Sequence, residues 1–252
     1  MRKLVGMSLA VVLTVFLAFG SAFAGPSAKA TAQIGDLSVI DVSGSSNSTG
    51  DTGWKPLFTQ TIKTPQDKAL FIDVSLECGL TTDTMVMSKK LARAIATAEA
   101  IVEVRVLVDG DPVPVNGNTP PGTVITFARR HQTLIAEFAG DISDSITVMD
   151  DDSVVIDWAN VDPEMLQLIL DTMQANSFNF VVPGLDAGEH TVLIQAKLSY
   201  EAYGNLEQEI IDDATVTMAE GEAFARAYLG NGSVTIQTVR MIKGEDVIVD
   251  LE

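Results

Sequence analysis

Three stretches of this chain repeat their apolar residues at every second position, and that period dictates strands. Leu70, Ile72, Val74, Leu76 and Cys78 share one side of the first, with Asp73, Ser75 and Glu77 on the other. Ala100, Val102, Val104, Val106 and Val108 alternate with Glu103 and Arg105 ahead of an Asp109-Gly110 turn. In the third, Val192, Ile194, Ala196, Leu198 and Tyr200 oppose Thr191, Gln195, Lys197 and Ser199. Side chains of an extended backbone leave alternately to its two faces, so each stretch has one face for a core and one for water. Strands of this kind bury their apolar faces by stacking two sheets.

Weaker alternation predicts further strands near residues 34–42, 54–63, 123–128, 132–139, 145–149, 153–157, 178–182, 211–218 and 233–242. In the last, Val234 and Ile236 are in phase but Val239 and Met241 are not, which predicts a β-bulge near Gln237 or Thr238. Asn231-Gly232 reads as a hairpin turn. The polar run Ser43–Gly53 reads as a flexible loop, and Ser88–Ala98 as a loop with one helical turn. One amphipathic helix is expected. Asp162 would cap it, Pro163 would take its first position, and Met165, Leu166, Ile169, Leu170 and Met173 would share a face up to Asn176. Ten or so strands with one short helix predict a mainly-β fold, a two-sheet antiparallel β-sandwich of jelly-roll type. Parallel α/β folds need a helix between successive strands, and those are missing.

The first 24 residues have the three parts of a secretory signal peptide: basic Arg2 and Lys3, an apolar run from Leu4 to Phe19, and the small-residue cleavage pattern Ser21-Ala22-Phe23-Ala24. The apolar run is short for a span of about 20 residues. The expected organisation is a leader at 1–24, a disordered lead-in at 25–32, and a single β-sandwich domain over 33–252. The expected location is outside the cytoplasm, extracellular or periplasmic, with no stable membrane insertion after cleavage. The compact leader has a bacterial look.

The mature chain would keep 14 basic against 34 acidic residues, a net charge of −20. A field of that sign repels phosphate backbones, which argues against nucleic acid as a partner. Cys78 is the only cysteine, so no internal disulfide can form. Its register places it among core residues, as a small hydrophobe rather than a nucleophile.

Chemistry is sparse. His131 and His190 are the only histidines and have no ligand-spaced neighbour. Arg129-Arg130-His131 is the densest basic spot and could meet a carboxylate or sulfate, although nearby acids are the expected partners. Asp141, Asp144, Asp150, Asp151, Asp152 and Asp157 form the best stretch for Ca²⁺, but their spacing matches no known calcium loop. No nucleophile elbow, phosphate loop or dinucleotide fingerprint is present. No catalytic residue, metal ligand or cofactor is therefore assigned. Trp54, at the loop exit Gly53-Trp54-Lys55-Pro56, and Tyr203, in Tyr203-Gly204-Asn205, are the aromatic rings least committed to a core. They are the candidate ligand-binding residues.

The stretch from Phe178 to Val192 runs Phe-Asn-Phe-Val-Val-Pro-Gly-Leu-Asp-Ala-Gly-Glu-His-Thr-Val. It resembles a phrase of bacterial secreted jelly-roll proteins of unassigned function and is more distantly similar to C1q-like and tumour-necrosis-factor-like domains. The resemblance implies a strand, a turn and a second strand. It transfers no functional residue. The expected function is that of a secreted, non-catalytic surface, matrix or partner-binding module, its partner a protein or a glycan. The alternatives are a carbohydrate-binding or carbohydrate-active protein and a calcium-stabilised adhesive subunit. Oligomeric state is open.

Overall fold

A computed structural model describes residues 30–64, 68–115, 123–143, 145–149, 153–211 and 214–239. The leader, Asp144 and the triplet Asp150, Asp151 and Asp152 lie outside these residues. Every strand pairing is antiparallel. In chain order the strands are β1 (Ala30–Asp36), β2 (Asp41–Ser45), β3 (Ser48–Asp51), β4 (Lys55–Thr64), β5 (Lys68–Ser88), β6 (Arg93–Val108) and β7 (Asp111–Pro112). They continue as β8 (Ile125–Glu137), β9 (Ile146–Val148), β10 (Val154–Ile156), β11 (Glu164–Leu185), β12 (Gly188–Gly204), β13 (Leu206–Ile211) and β14 (Ala214–Val239).

One sheet runs β1-β14-β5-β11, with β2 and β13 also paired to β14. The other runs β3-β12-β6-β7, with β4 on β12 and β8 on β6. β14 lies over β6 and β12, and β5 over β6 and β8, so the molecule is a β-sandwich. β9 and β10 form a separate hairpin. The three strongest alternating stretches fall on β5, β6 and β12, the central strands, with their apolar positions buried in one core. Cys78 is among them and is fully buried. Desolvation pushes its thiol up to about 12. Cys78 should therefore resist a thiol reagent in native buffer and react after unfolding. Rapid native labelling would contradict its placement.

The core tapers because the sequence changes the size of its inward residues. On β6 these are Ala94, Ala96, Ala98 and Ala100, then Val102, Val104, Val106 and Val108. Ala219, Ala223, Ala225 and Ala227 of β14 belong to the alanine end, while Phe58, Ile62, Ile72, Phe180, Ile194 and Ile236 fill the other. At the narrow end the backbones touch. The Asn205 amide donates to the Ile95 carbonyl (3.1 Å), and the Gly221 amide donates to the Asn205 carbonyl (2.8 Å). Asn205 Oδ1 also accepts from the Ile95 amide (2.6 Å). Asn205 thereby fastens the point where the chain leaves one sheet for the other.

Several expectations need correction. The helix from Asp162 to Asn176 does not exist. Those residues open β11, which pairs with β5 from Glu164–Ser88 through Val182–Leu70. Met165, Leu166, Leu168, Ile169 and Leu170 make so continuous an apolar run that it satisfies both periods, and the long template of β5 decides for extension. Asp162 sits in an isolated bridge to Asp141 in place of a cap. The stretch Ser88–Ala98 has no helical turn. Lys90 and Leu91 both take positive φ, 56° and 57°, and make a tight turn that carries the chain from β5 in one sheet to β6 in the other. Asn231-Gly232 is no hairpin: β14 runs through it, and its bulge against β5 lies between Leu229 and Gly232, not at Gln237 or Thr238. Glu77 holds that bulge by accepting from the Asn231 backbone (3.1 Å) and side-chain (2.9 Å) amides. Of the disordered lead-in, residues 30–32 belong to β1. The flexible loop holds β2 and β3, where the ring of Tyr200 covers the bare backbone of Gly44 and Gly50.

Candidate functional site

The strand that closes one side of the sandwich is sparsely charged for so acidic a chain. β11 holds only Glu164 and Asp171 among 22 residues, against 34 acids in the whole sequence. It pairs with β5 along one edge, and among the described residues no strand pairs with the other. Its even-numbered side chains turn toward the opposite sheet. Arg130 of β8 donates to Thr172 Oγ1 and to the Leu80 carbonyl (3.2 Å), and Asn176 Nδ2 donates to the Phe127 carbonyl (2.7 Å). Gln132 donates to the Leu168 carbonyl (2.8 Å) and to Thr84 Oγ1, and accepts from Thr82 Oγ1 (2.9 Å). These bonds satisfy the buried polar groups between β8 and the first sheet. The odd-numbered side chains lie outside. Gln167 donates to both oxygens of Asp83 (3.0 Å), and Asp171 accepts from Thr81 (2.9 Å).

The first half of β11 leaves its apolar residues uncovered on both faces. Met165 is 60% exposed and Ile169 58%, and Leu166, Leu168, Leu170 and Met173 are all above 40%. In the hairpin that precedes β11 in sequence, Ile146, Val148, Met149, Val154 and Val155 are exposed too. An unpaired edge is a template for another strand, and a contiguous apolar patch beside it marks a contact surface. The sequence signal was available: Met165–Leu170 is five-sixths apolar and uncharged in a chain rich in acids. Reading that run as a helix face assigned it to the core.

Trp54 and Tyr203 do not form one site. Trp54 lies on the second sheet under Arg105, whose guanidinium carbon is 4.3 Å from the ring centroid, with Lys197 Nζ at 5.5 Å. Gln195 accepts from Arg105 (2.8 Å) and Glu103 pairs with Lys197 (2.7 Å). The ring is thus engaged in cation–π contacts. Tyr203 is 47% exposed. It lies seven residues along β12 from Ala196, the register partner of Lys55, which at strand rise is about 23 Å. Arg129-Arg130-His131 is divided by the pleat. Arg129 and His131 turn outward to Glu99, with His131 Nδ1 at 3.9 Å, while Arg130 turns inward. Arg129 and His131 thus meet an acid, as expected, whereas Arg130 meets a carbonyl and a hydroxyl. Among the described residues no three His, Cys, Asp or Glu side chains gather as a metal site.

His190 shows what an isolated histidine does here. Its Nδ1 meets Asp109 Oδ2 (2.7 Å) and its Nε2 the Asp186 carbonyl (2.9 Å). Both partners are acceptors, so both ring nitrogens carry hydrogen. The Asp109 bond, then the Asp186 carbonyl, raise the imidazole above its ordinary 6.5. The same bond, with the Thr191 amide, holds Asp109 below 3.8. With both nitrogens engaged, the ring is no free base for a nucleophile. It is a latch between the β6–β7 turn and the start of β12. The imidazolium's contribution to stability is full below pH 6.5 and is lost as pH rises through the folded-state value. The Asp109 contribution is present above 3.8 and is lost as pH falls through its own lowered value. The melting temperature should therefore drop as pH rises above 6.5, in a step that His190→Gln flattens. An identical step in the variant would reject the latch.

No protein-family model matches the chain, and no curated protein does. Among solved structures, similarity is faint. A CocE/NonD family hydrolase from Staphylococcus aureus aligns at 13% identity over 87% of this chain and 38% of its own, with a TM-score of 0.19. The parasporin-2 toxin of Bacillus thuringiensis aligns at 8% identity over 84% and 76%, with a TM-score of 0.16. The VP1 of trichodysplasia spinulosa-associated polyomavirus aligns at 10% identity over 81% and 99%, with a TM-score of 0.17. This chain spans under two fifths of the hydrolase chain, and at these scores none of the three bears on fold or function. Among the described residues no helix is long and apolar enough to cross a membrane.

Proposed function

We propose that this chain is an exported, non-catalytic β-sandwich of jelly-roll type that serves as a surface, matrix or partner-binding module, docking through the free edge of β11. The jelly-roll reading is supported by the alternation of the chain between sheets. β1 and β2, β14, β5 and β11 lie side by side on one, and β3 and β4, β12, β6 and β8 on the other. The docking reading rests on one observation above all: an unpaired strand edge whose uncharged apolar run Met165–Leu170 is left open on both faces. Main-chain bonding to such an edge supplies affinity, and the alternate side chains supply selectivity. Trp54 is held beneath Arg105, which leaves Tyr203 as the open one of the two candidate rings for the carbohydrate reading.

The test is retention at the surface of the exporting cell. A surface partner at β11 would hold the wild-type chain in the surface fraction and shed Ile169→Lys into the medium, whereas a second copy at β11 would leave both in the medium and dissociate on the same substitution. Equal distribution of the two together with equal association would reject docking through β11.

A further inference from the structure

Taking β11 as the docking edge, we infer that its partner is the β11 of a second copy of this chain, paired antiparallel about a two-fold axis at Ile169. The first argument is charge. Two copies of a chain with net charge −18 repel each other, and association is least opposed where charge is lowest. β11 carries only two carboxylates in 22 residues, and neither falls within its exposed apolar run Met165–Leu170.

The second argument is register. A two-fold axis sets residue i of one strand opposite 2c − i of the other, c being the residue on the axis. With c at 169, Ile169 meets itself, Leu168 meets Leu170, and Met165 meets Met173. Asp171 faces Gln167 and Glu164 faces Gln174, so each carboxylate meets an amide and no like charges oppose. Moving the axis one residue either way sets Asp171 against Met165 or Ile169. A half-step sets inward side chains against outward ones, because the side-chain period is two. Only the axis at 169 satisfies both faces and both carboxylates.

The third argument is area. Six residues between Met165 and Met173 are each more than 40% exposed. They present on the order of 500 Å² of apolar surface per copy, a patch of the size that marks a contact surface, and edge pairing covers the part of it that faces the neighbouring strand. Pairing would also remove the free edge, joining the two sheets into one.

Sedimentation of the purified mature chain over a range of concentrations reads the dimer, and engineered cysteines read the register. Wild type is expected to be dimeric, and Ile169→Arg to weaken the dimer by roughly tenfold or more, since two cations then meet on the axis. Ile169→Cys should form a disulfide-linked dimer under diamide, because directly opposed Cα atoms lie about 4.5–5.5 Å apart. Gln174→Cys should not self-link, its two copies being about 33 Å apart at strand rise. Buried Cys78 does not compete. A monomer at every concentration, a dimer indifferent to Ile169→Arg, or equal linking at both positions would overturn the self-pairing. If the chain is monomeric yet Ile169→Lys is still shed from cells, docking through β11 survives with a different partner. If neither effect is seen, both readings fall.

Discussion

Replacing Gly221 with alanine is expected to cost at least about 4 kcal/mol and to leave little folded protein at 37 °C. A Cβ at Gly221 would lie 1.8 Å from the Ile95 carbonyl oxygen and 2.6 Å from its carbon. The obstacle is backbone of the opposite sheet, so no side chain can swing aside to relieve it. Gly204 faces the same constraint, its Cβ falling 1.8 Å from the Gly221 oxygen. Both sheets would have to part where Asn205 joins them. Gly188→Ala is the control, since its Cβ meets nothing within 4 Å. It should alter stability by less than about 1 kcal/mol. Equal denaturant midpoints for Gly221→Ala and Gly188→Ala would mean that the sheets do not touch at the narrow end.

Along β11, Phe180→Ala should cost about 3–5 kcal/mol, whereas Ile169→Ala should stay within about 0.5 kcal/mol in the monomer. Phe180 is 1% exposed and packs edge-on to Phe178 at 5.0 Å. Ile169 stands in water. An amphipathic helix would give the reverse for Ile169, because its apolar stripe would be covered and truncation would open a cavity. Denaturant melts of the two variants, at concentrations too low for association, separate the cases. A loss of about 2 kcal/mol or more for Ile169→Ala would restore the helix.

The same strand shows where sequence reading reaches its limit. From Phe178 to Phe180 the alternation is visible, and Pro183-Gly184 forms the bulge near the end of β11, where Gly184 takes a φ of 65°. From Met165 to Leu170 the apolar residues are too dense to declare a period, and favourable capping residues tipped the reading toward a helix. What overruled them was the long β5 alongside, a non-local partner that no window of sequence contains. The turn at Lys90 and Leu91 was hidden for a related reason: neither residue favours positive φ. The chain adopts it there because the Lys90 and Leu91 amides bond the Ala139 and Phe138 carbonyls (both 2.9 Å).

The candidate residues divided in the same manner. Cys78 was legible because burial follows register, and register follows from Leu70, Ile72, Val74 and Leu76 beside it. Trp54 could not be judged from its loop, since Arg105 and Lys197 reach it from β6 and β12. The His190 latch depended on Asp109, 81 residues away.

By itself the sequence determined that this chain forms strands, which faces of its central strands turn inward, and that it carries a strong negative charge. Those properties depend on the side-chain period and on composition, both local or additive. The tertiary structure alone decided which strand would be left at an edge, and therefore that an apolar, uncharged run would face water rather than the core. Edge position depends on the order of strands in a sheet, which long-range pairing sets and no local period encodes.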